Sequence, residues 1–334
     1  MKTKKERIFT MLKNKKIFLA GSTGQAGTGI LKHIVEKSPT TKIRASFHET
    51  KPFIQHKQVE YVKGDLRSVD DCRKMVKGCD CAIMAASRAG GANFIRTHPW
   101  EHMDENLMMN KQMLRAFQLE KIKRVIFIGS AVVYQSFEGS IKEGDMDFNK
   151  EPHQAYYGYA WAFRFLEKLC KFLHEKYDME IITVRAANIF GPYDKFNPDV
   201  SNFISALIRK AVDKMDPFEV WGEPDVVRDV IYTDDFARAI TMMVDNTDVK
   251  FDTFNLGSGV KTSVGDAVNW AIKYSGHKPS EIKWIQNKPT TIKFRALDCS
   301  KIKKTFGWEP QTTIEEGIKK TTQWWIENKN WWKR

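Results

Sequence analysis

A short apolar segment that runs directly into three spaced glycines constrains this chain more than any other part of its sequence. Residues 16–20 predict a buried strand, and a helix is predicted from about residue 27 to residue 36. Between them stand Gly21, Gly24 and Gly27, in the spacing GxxGxxG. Gly21 permits a tight turn, Gly24 lets the backbone approach a pyrophosphate, and Gly27 lets the helix pack against the strand.

This strand–turn–helix unit predicts a dinucleotide-binding loop. The free N–H groups at the start of a helix point at the phosphates, and the helix dipole favours their negative charge. Thr23, Gln25 and Ala26 complete the loop and are candidate cofactor contacts. The alternative is a turn with a structural role only, which the same glycines would also satisfy.

Strands and helices alternate through the first half of the chain. After the first unit, strands are predicted at 42–47, 59–63, 81–86, 124–128 and 180–184, and long helices at 100–119 and 160–176. This alternation predicts an α/β fold, namely a Rossmann-type, doubly wound parallel sheet with helices on both faces. After Gly191 and Pro192 the pattern loosens, which predicts a smaller α/β C-terminal substrate lobe over the carboxyl edge of the sheet.

The same pattern suggests how the chain divides. We expect a cofactor-binding domain of residues 14–187 plus 227–258. The substrate lobe would then consist of residues 188–226 plus 259–330.

Composition narrows the functional classes. The net charge is +13, but the cations are spread along the chain without a nucleic-acid-binding motif, so we expect no nucleic-acid partner. A basic surface equally suits a diphosphate-bearing substrate. No apolar run reaches the roughly 18 residues of a membrane span, and the lysine-rich N-terminus lacks the apolar core of a signal peptide, which predicts a cytoplasmic protein. Five cysteines without paired CxxC spacing predict free thiols and no metal site.

The GxxGxxG spacing in this setting resembles the short-chain dehydrogenase/reductase superfamily. Its extended branch, the NAD-dependent epimerase/dehydratase family, acts on nucleotide-linked sugars, and the resemblance covers nearly the whole chain. It assigns further cofactor contacts to Asp65 and Leu66 at the adenine, to Ala85, Ala86 and Ser87 beside the pyrophosphate, and to Asn106.

The end of the second predicted strand decides between NAD and NADP. An acid there accepts a hydrogen bond from the ribose 2′-hydroxyl and repels a 2′-phosphate. Here the strand region carries Arg44 and His48, and Glu49 comes one position late. Arg44, Ser46 and His48 favour a phosphate, so we expect NADP, with NAD as the alternative.

Two hydroxyl side chains match the catalytic pair of this family. Residues 126–134 resemble its strand-five motif, in which Ser130 would hydrogen-bond the reacting sugar oxygen. Tyr159 matches the tyrosine of the YxxxK motif, and would give or take a proton while hydride moves between the nicotinamide and the sugar carbon. The lysine position holds Phe163, with Arg164 beside it. Since the lysine lowers the tyrosine pKa, its loss favours a reductase, which needs a protonated tyrosine.

Within the family, segments around Asn106, Asn188 and Arg228 look most like the GDP-fucose synthases. Val132 and Asn202 stand where those enzymes place the cysteine and histidine of a C3/C5 epimerisation, and neither can act as acid or base. We therefore expect no double epimerisation. The resemblance assigns the nucleotide sugar to Val132, Asn188, Asn202, Arg209, Trp221, Arg228 and Arg295.

The sequence thus predicts an NAD(P)-dependent reductase of a 4-keto sugar linked to GDP or a similar nucleotide. Two alternatives stay open: a C4 epimerase of the same family, and a cofactor-binding homologue without activity, for which Phe163 is the reason. The predicted helices 100–119 and 160–176 correspond to those that form a four-helix bundle in family dimers, so a homodimer is expected.

Overall fold

The computed structural model describes residues 12–286 and 292–329. Over these ranges the strands are β1 (Lys16–Ala20), β2 (Lys42–Phe47), β3 (Val59–Lys63), β4 (Cys81–Met84), β5 (Arg124–Ser130), β6 (Glu180–Ala186), β7 (Asn188–Phe190), β8 (Phe218–Trp221), β9 (Val227–Arg228), β10 (Val230–Tyr232), β11 (Phe251–Leu256), β12 (Thr262–Ser263) and β13 (Ile282–Ile285). The helices are α1 (Gln25–Lys37), α2 (Val69–Val76), α3 (Ala92–Thr97), α4 (Pro99–Leu119), α5 (Tyr157–Tyr177), α6 (Phe203–Val212), α7 (Thr233–Asp245), α8 (Val264–Ser275), α9 (Ser300–Phe306) and α10 (Ile314–Glu327).

A seven-stranded sheet in the order β3-β2-β1-β4-β5-β6-β11 forms the centre of the protein, and every neighbouring pair is parallel. This confirms the predicted doubly wound α/β fold. Because helices cover both faces, the central strands are apolar along their length, and β4 is buried throughout. The strand order reverses between β1 and β4, so the crevice at their carboxyl ends is where such sheets bind ligands.

Three apolar cores hold the helices in place. Phe117 and Phe127 belong to the core on the face of the sheet covered by α2, α4 and α5. Ile30 and Phe236 belong to the core on the opposite face, beneath α1 and α7. A third core joins α6, α8 and α10. This third core is the packing expected of a smaller C-terminal lobe; the domain bounds stay a prediction, and residues 287–291 and 330 of the expected lobe lie outside the described residues.

Several boundaries differ from the predicted ones at the ligand-binding edge, where β5 ends at Ser130 and β6 at Ala186, each two residues later than expected. Helix α1 begins at Gln25, two residues earlier than expected, and β4 ends at Met84 rather than residue 86. The Ala85 N–H donates to the Ala20 carbonyl at 3.2 Å, so the chain stays beside β1 as it leaves the strand. Within the described ranges, every helix is too short or too polar to cross a bilayer.

Candidate active site

The turn between β1 and α1 is tight at its outer glycines and open at its middle one. Gly21 has a φ of +75°, and a Cβ on it would lie 2.6 Å from the Ala86 Cα. A Cβ on Gly27 would lie 2.1 Å from the Gly21 carbonyl oxygen, because the start of α1 packs onto the turn. Among the described residues, the nearest atom to a Cβ on Gly24 is that same oxygen at 3.5 Å, and Gly24 is exposed. Gly21 and Gly27 therefore shape the turn, and Gly24 faces open space.

Gln25 joins this turn to the segment that follows β7. In the amide orientation that satisfies both of its polar atoms, its oxygen accepts from the Gly191 N–H at 2.8 Å and its nitrogen donates to the Asp194 carboxylate at 3.2 Å. Burial raises the pKa of Asp194 to about 6, and hydrogen bonds from Ser205 and Asn202 act in the opposite direction. Asn202 is therefore engaged with a buried carboxyl. Of the other two loop residues, Ala26 packs against the core and Thr23 is half-buried.

The Arg44 side chain is held by the C-terminal end of α2. Its guanidinium donates to the carbonyl oxygens of Met75 and Lys77 at the C-terminal end of α2, and pairs with Glu60 at 3.1 Å. Because α2 leads into the amino end of β4, this end of the helix lies at the edge of the sheet opposite the glycine turn. The charge of Arg44 stabilises the last carbonyls of α2, and its assignment as a phosphate ligand stays a prediction that this placement does not favour.

The other residues predicted for the adenosine side lie at the carboxyl edge. His48 is exposed just beyond β2. The Asp65 carboxylate pairs with Arg67 at 2.8 Å, and this hydrogen bond lowers the pKa of Asp65. Leu66 turns its side chain into the core, so only its backbone is available to a ligand.

Tyr159 lies in the first turn of α5 against two rings. His102 of α4 stacks on it with 4.2 Å between ring centroids and 11° between ring planes, and Phe163 packs against it at 4.5 Å. Burial raises the pKa of Tyr159 to about 12, while a hydrogen bond with Ser87 acts in the opposite direction. Tyr159 is therefore a protonated phenol at neutral pH. Ser130 ends β5, and its Oγ accepts from the Val132 N–H at 3.4 Å.

Neither Phe163 nor Arg164 supplies the charge that a lysine would bring to Tyr159. Phe163 is fully buried and packs against Phe127 at 6.1 Å between centroids. The Arg164 guanidinium donates to the carbonyl oxygens of Val133 and Lys150, both at 2.7 Å. Arg164 therefore supports the segment after β5 and does not replace the missing lysine.

Arg228, which is half-buried, and Arg295, which is buried, form a cationic pair on neighbouring segments. The Asp229 N–H donates to the Arg295 carbonyl at 2.8 Å, which holds the two segments side by side. Burial, and after it the charge of Arg295, lower the pKa of Arg228 to about 10. Arg295 is 5% exposed, and the described residues supply no hydrogen-bond partner for its Nε and Nη2. Buried guanidinium nitrogens of this kind fit an anionic ligand.

The remaining predicted substrate residues are spread along the C-terminal half. Arg209 of α6 also has a buried Nε without a hydrogen-bond partner among the described residues. Trp221 ends β8, is exposed, and lies 5.8 Å from the Lys210 Nζ. Asn188 is exposed at the start of β7, whereas Val132 is buried, two residues after Ser130. The grouping of Arg209 and Trp221 with the Arg228–Arg295 pair stays a prediction.

Three site residues were missed because no motif marks them. The Arg295 guanidinium carbon lies 4.9 Å from the centre of the Tyr156 ring. The sequence suggested only that Tyr156 is one of the packed aromatic residues at the start of a helix. Burial lowers the pKa of His153, and the charges of Arg295 and Arg228 lower it as well. This effect places the His153 ring near both cations. His102 comes from α4, more than fifty residues before the tyrosine on which it stacks. Within residues 12–286 and 292–329, no three His, Cys, Asp or Glu side chains are grouped to hold a metal.

Known proteins resemble this chain along most of its length. It is 24% identical to the GDP-L-fucose synthase of Escherichia coli over 96% of this chain and 99% of that protein. It is 26% identical to the GDP-L-colitose synthase of Yersinia pseudotuberculosis, over 94% and 99%. The UDP-glucose 4-epimerase of Thermotoga maritima, solved with UDP-glucose, has the same fold, with a TM-score of 0.82 at 18% identity over 94% of this chain and 99% of that one. The NAD dependent epimerase/dehydratase family matches residues 17–257, and the chain belongs to that family of enzymes.

Proposed function

We propose that this enzyme uses a nicotinamide cofactor to reduce a 4-keto sugar linked to GDP or a similar nucleotide. Ser130 would orient the sugar oxygen, and Tyr159 would donate the proton to it. The observation that carries the proposal is the state of Tyr159: it packs against Phe163 in place of a lysine, and its pKa is about 12. A phenol that stays protonated suits an acid that acts in reduction, and is poorly suited to act as the base that starts an epimerisation.

The residues of the glycine turn fit the cofactor. Gly24 leaves open space at the start of α1, where N–H groups can meet a pyrophosphate. We propose NADP rather than NAD, because β2 ends at Phe47 and is followed by His48, with no acid at either position. The cofactor would supply the hydride.

Alanine at Gly24 and at Gly27 is expected to have different effects. Gly24→Ala should change the free energy of unfolding by less than about 1 kcal/mol, since its Cβ makes an ordinary contact, yet weaken NADPH binding by about tenfold or more. Gly27→Ala should weaken NADPH binding too, and it should in addition lower the free energy of unfolding by about 1–3 kcal/mol. Urea unfolding and calorimetric titration with NADPH measure both quantities. Equal NADPH affinity in Gly24→Ala and the native protein would contradict the assigned role of this glycine.

Arg228 and Arg295 would bind the diphosphate of the substrate, with GDP favoured by the names of the relatives. A bound diphosphate would offer acceptors to the two unpartnered nitrogens of Arg295 and relieve the repulsion between the two cations. Val132 is buried, and Asn202 is bonded to Asp194, so neither supports an added epimerisation step.

Arg295→Gln is expected to raise the Kd for GDP about 10- to 100-fold, the size of one or two charged hydrogen bonds. Its free energy of unfolding should change by less than about 1 kcal/mol, because the variant removes one of two neighbouring cations that repel each other. Lys261→Gln, which removes an exposed cation beside Phe294, is the matched control and should leave the Kd unchanged. If calorimetry gives both variants the same Kd, Arg295 is not a diphosphate ligand.

The reaction is tested by following absorbance at 340 nm with NADPH or NADH and a panel of nucleotide-linked 4-keto sugars. A reductase consumes one NADPH for each product formed. Formation of an isomerised sugar without net consumption of the cofactor would establish the C4 epimerase instead. Binding of NADPH without turnover of any sugar would establish a non-catalytic homologue.

A homodimer through α4 and α5 stays part of the proposal. These helices pack along each other and expose apolar side chains that a second copy could cover. The exposed residues are Trp100, Leu119, Phe165 and Phe172.

A further inference from the structure

The backbone of Arg295 is fixed between the two residues that flank Arg228. The Arg295 N–H donates to the Val227 carbonyl at 3.2 Å, and the Arg295 carbonyl accepts from the Asp229 N–H at 2.8 Å. The Arg228 Nη1 donates to the Val227 carbonyl at 2.8 Å, which directs that side chain back along its own strand. The two guanidinium groups carry like charges on paired segments and repel each other. The direction of the Arg295 side chain therefore depends on a contact outside these segments.

The ring of Tyr156 supplies that contact. The Arg295 guanidinium lies over the ring, with 4.9 Å between its carbon and the ring centre. A ring face attracts a guanidinium without accepting a hydrogen bond from its N–H groups in the way that a carboxylate would. Accordingly, the described residues supply no hydrogen-bond partner for Nε and Nη2 of Arg295, although this side chain is 5% exposed. Tyr156 thus holds the cation and leaves these donors to an anion.

Tyr156 is itself fixed by the start of α5. Residues Gln154–Tyr156 form a short 3₁₀ turn that leads directly into this helix. The Tyr156 N–H donates to the His153 carbonyl at 2.9 Å, and the His153 Nδ1 accepts from the Ala155 N–H at 3.2 Å. The position of the ring is therefore set by the turn before α5, and not by the segments that carry the two arginines.

We infer that Tyr156 is a positioning residue whose ring orients the Arg295 guanidinium for the diphosphate of the substrate. The inference rests on the proposed function, in which Arg295 binds that diphosphate. Without the ring, the charge of Arg228 would push the Arg295 side chain aside, and the side chain would have to be ordered again when the nucleotide binds. Part of the binding free energy of the nucleotide would then be lost in ordering the site.

The test is a double-mutant cycle in which calorimetric titration measures the Kd for GDP. Tyr156→Leu is expected to raise this Kd about 3- to 10-fold, the usual cost of ordering one long side chain on binding. Tyr156→Phe keeps the ring and should stay within about twofold of the native Kd. In an Arg295→Gln background, Tyr156→Leu should have no further effect, because no guanidinium remains to be oriented. A merely structural role of the ring would act in both backgrounds alike.

Tyr157→Leu is the matched control, because it removes the neighbouring ring, which is 43% exposed. It should leave the Kd for GDP unchanged. Tyr156 is half-buried, so Tyr156→Leu is expected to fold. Thermal melting and a native Kd for NADPH check this in every variant.

An unchanged Kd for GDP in Tyr156→Leu, or an equal rise in both backgrounds, would overturn the inference, because the ring would then not act through Arg295. A native Kd in Arg295→Gln would reject the diphosphate site of the proposed function, and the inference with it. The titration requires no turnover. A protein that shows the expected coupling but consumes no NADPH would therefore reject the proposed reduction and leave the role of Tyr156 intact.

Discussion

Tyr159→Phe is expected to lower kcat for reduction of a GDP-linked 4-keto sugar by about 100- to 10,000-fold, the range that general acid catalysis supplies. The variant keeps the ring that stacks on His102 at 4.2 Å and removes only the hydroxyl. Affinity for NADPH and GDP should therefore change by less than about threefold, since the lost interaction belongs to the transition state. Steady-state kinetics and calorimetric titration separate the two effects.

The matched control is Tyr157→Phe on the same helix, because Tyr157 is 43% exposed and no predicted role depends on its hydroxyl. It should retain native activity. The pH dependence gives a second check: the reacting form is the protonated phenol, its pKa is about 12, and so the Tyr159 step should be constant below that pH and slow above it. A Tyr159→Phe enzyme with native kcat would contradict the assignment of the acid.

Glu167→Ala is expected to lower the free energy of unfolding by about 3–5 kcal/mol, the usual cost of leaving one member of a buried ion pair alone. The Glu167 carboxylate of α5 binds Arg185 of β6 in a two-pronged contact, with oxygen–nitrogen distances of 2.7 and 3.0 Å. Both side chains are less than 10% exposed. Arg185 also donates to the Tyr134 hydroxyl at 2.9 Å, and that hydroxyl donates to Asn255 of β11 at 2.7 Å. The pair therefore joins α5, which carries Tyr159, to the sheet.

Glu175→Ala removes the acid of an exposed pair with Lys171 on the same helix and serves as the control. Exposed pairs of this kind contribute about 0–1 kcal/mol. Urea unfolding of the two variants gives the comparison. If the two variants lose similar amounts of stability, the buried pair is not a main support of α5.

The sequence predicted the sheet and the glycine turn well because both depend on short-range patterns. Apolar runs mark strands that are buried on both faces, and the spacing of Gly21, Gly24 and Gly27 follows from the turn itself. The arginine of β2 shows what such patterns leave open, namely the level of the sheet at which a side chain lies. Arg44 stands four residues before His48, and four residues of strand span about 13 Å, so the two cations lie at different levels of the sheet.

The surroundings of Tyr159 could not be predicted because they come from three separate elements. Ser87 follows β4, Asn106 and His102 lie on α4, and Tyr159 begins α5. The resemblance to the family placed Ser87 and Asn106 near the cofactor, but the direction of their hydrogen bonds depends on which carbonyls surround the Asn106 amide. Similarly, the pairing of Arg228 with Arg295 follows from two segments that meet only in the folded chain.

The central claim is that hydride passes from the cofactor to the sugar and remains there while Tyr159 supplies the proton. It is tested most directly with NADPH that carries deuterium at C4 of the nicotinamide, followed by mass spectrometry and NMR of the product sugar. The account predicts one deuterium in each product molecule, at the reduced sugar carbon, and loss of this product in Tyr159→Phe. An altered sugar without deuterium, formed with no net consumption of NADPH, would contradict it.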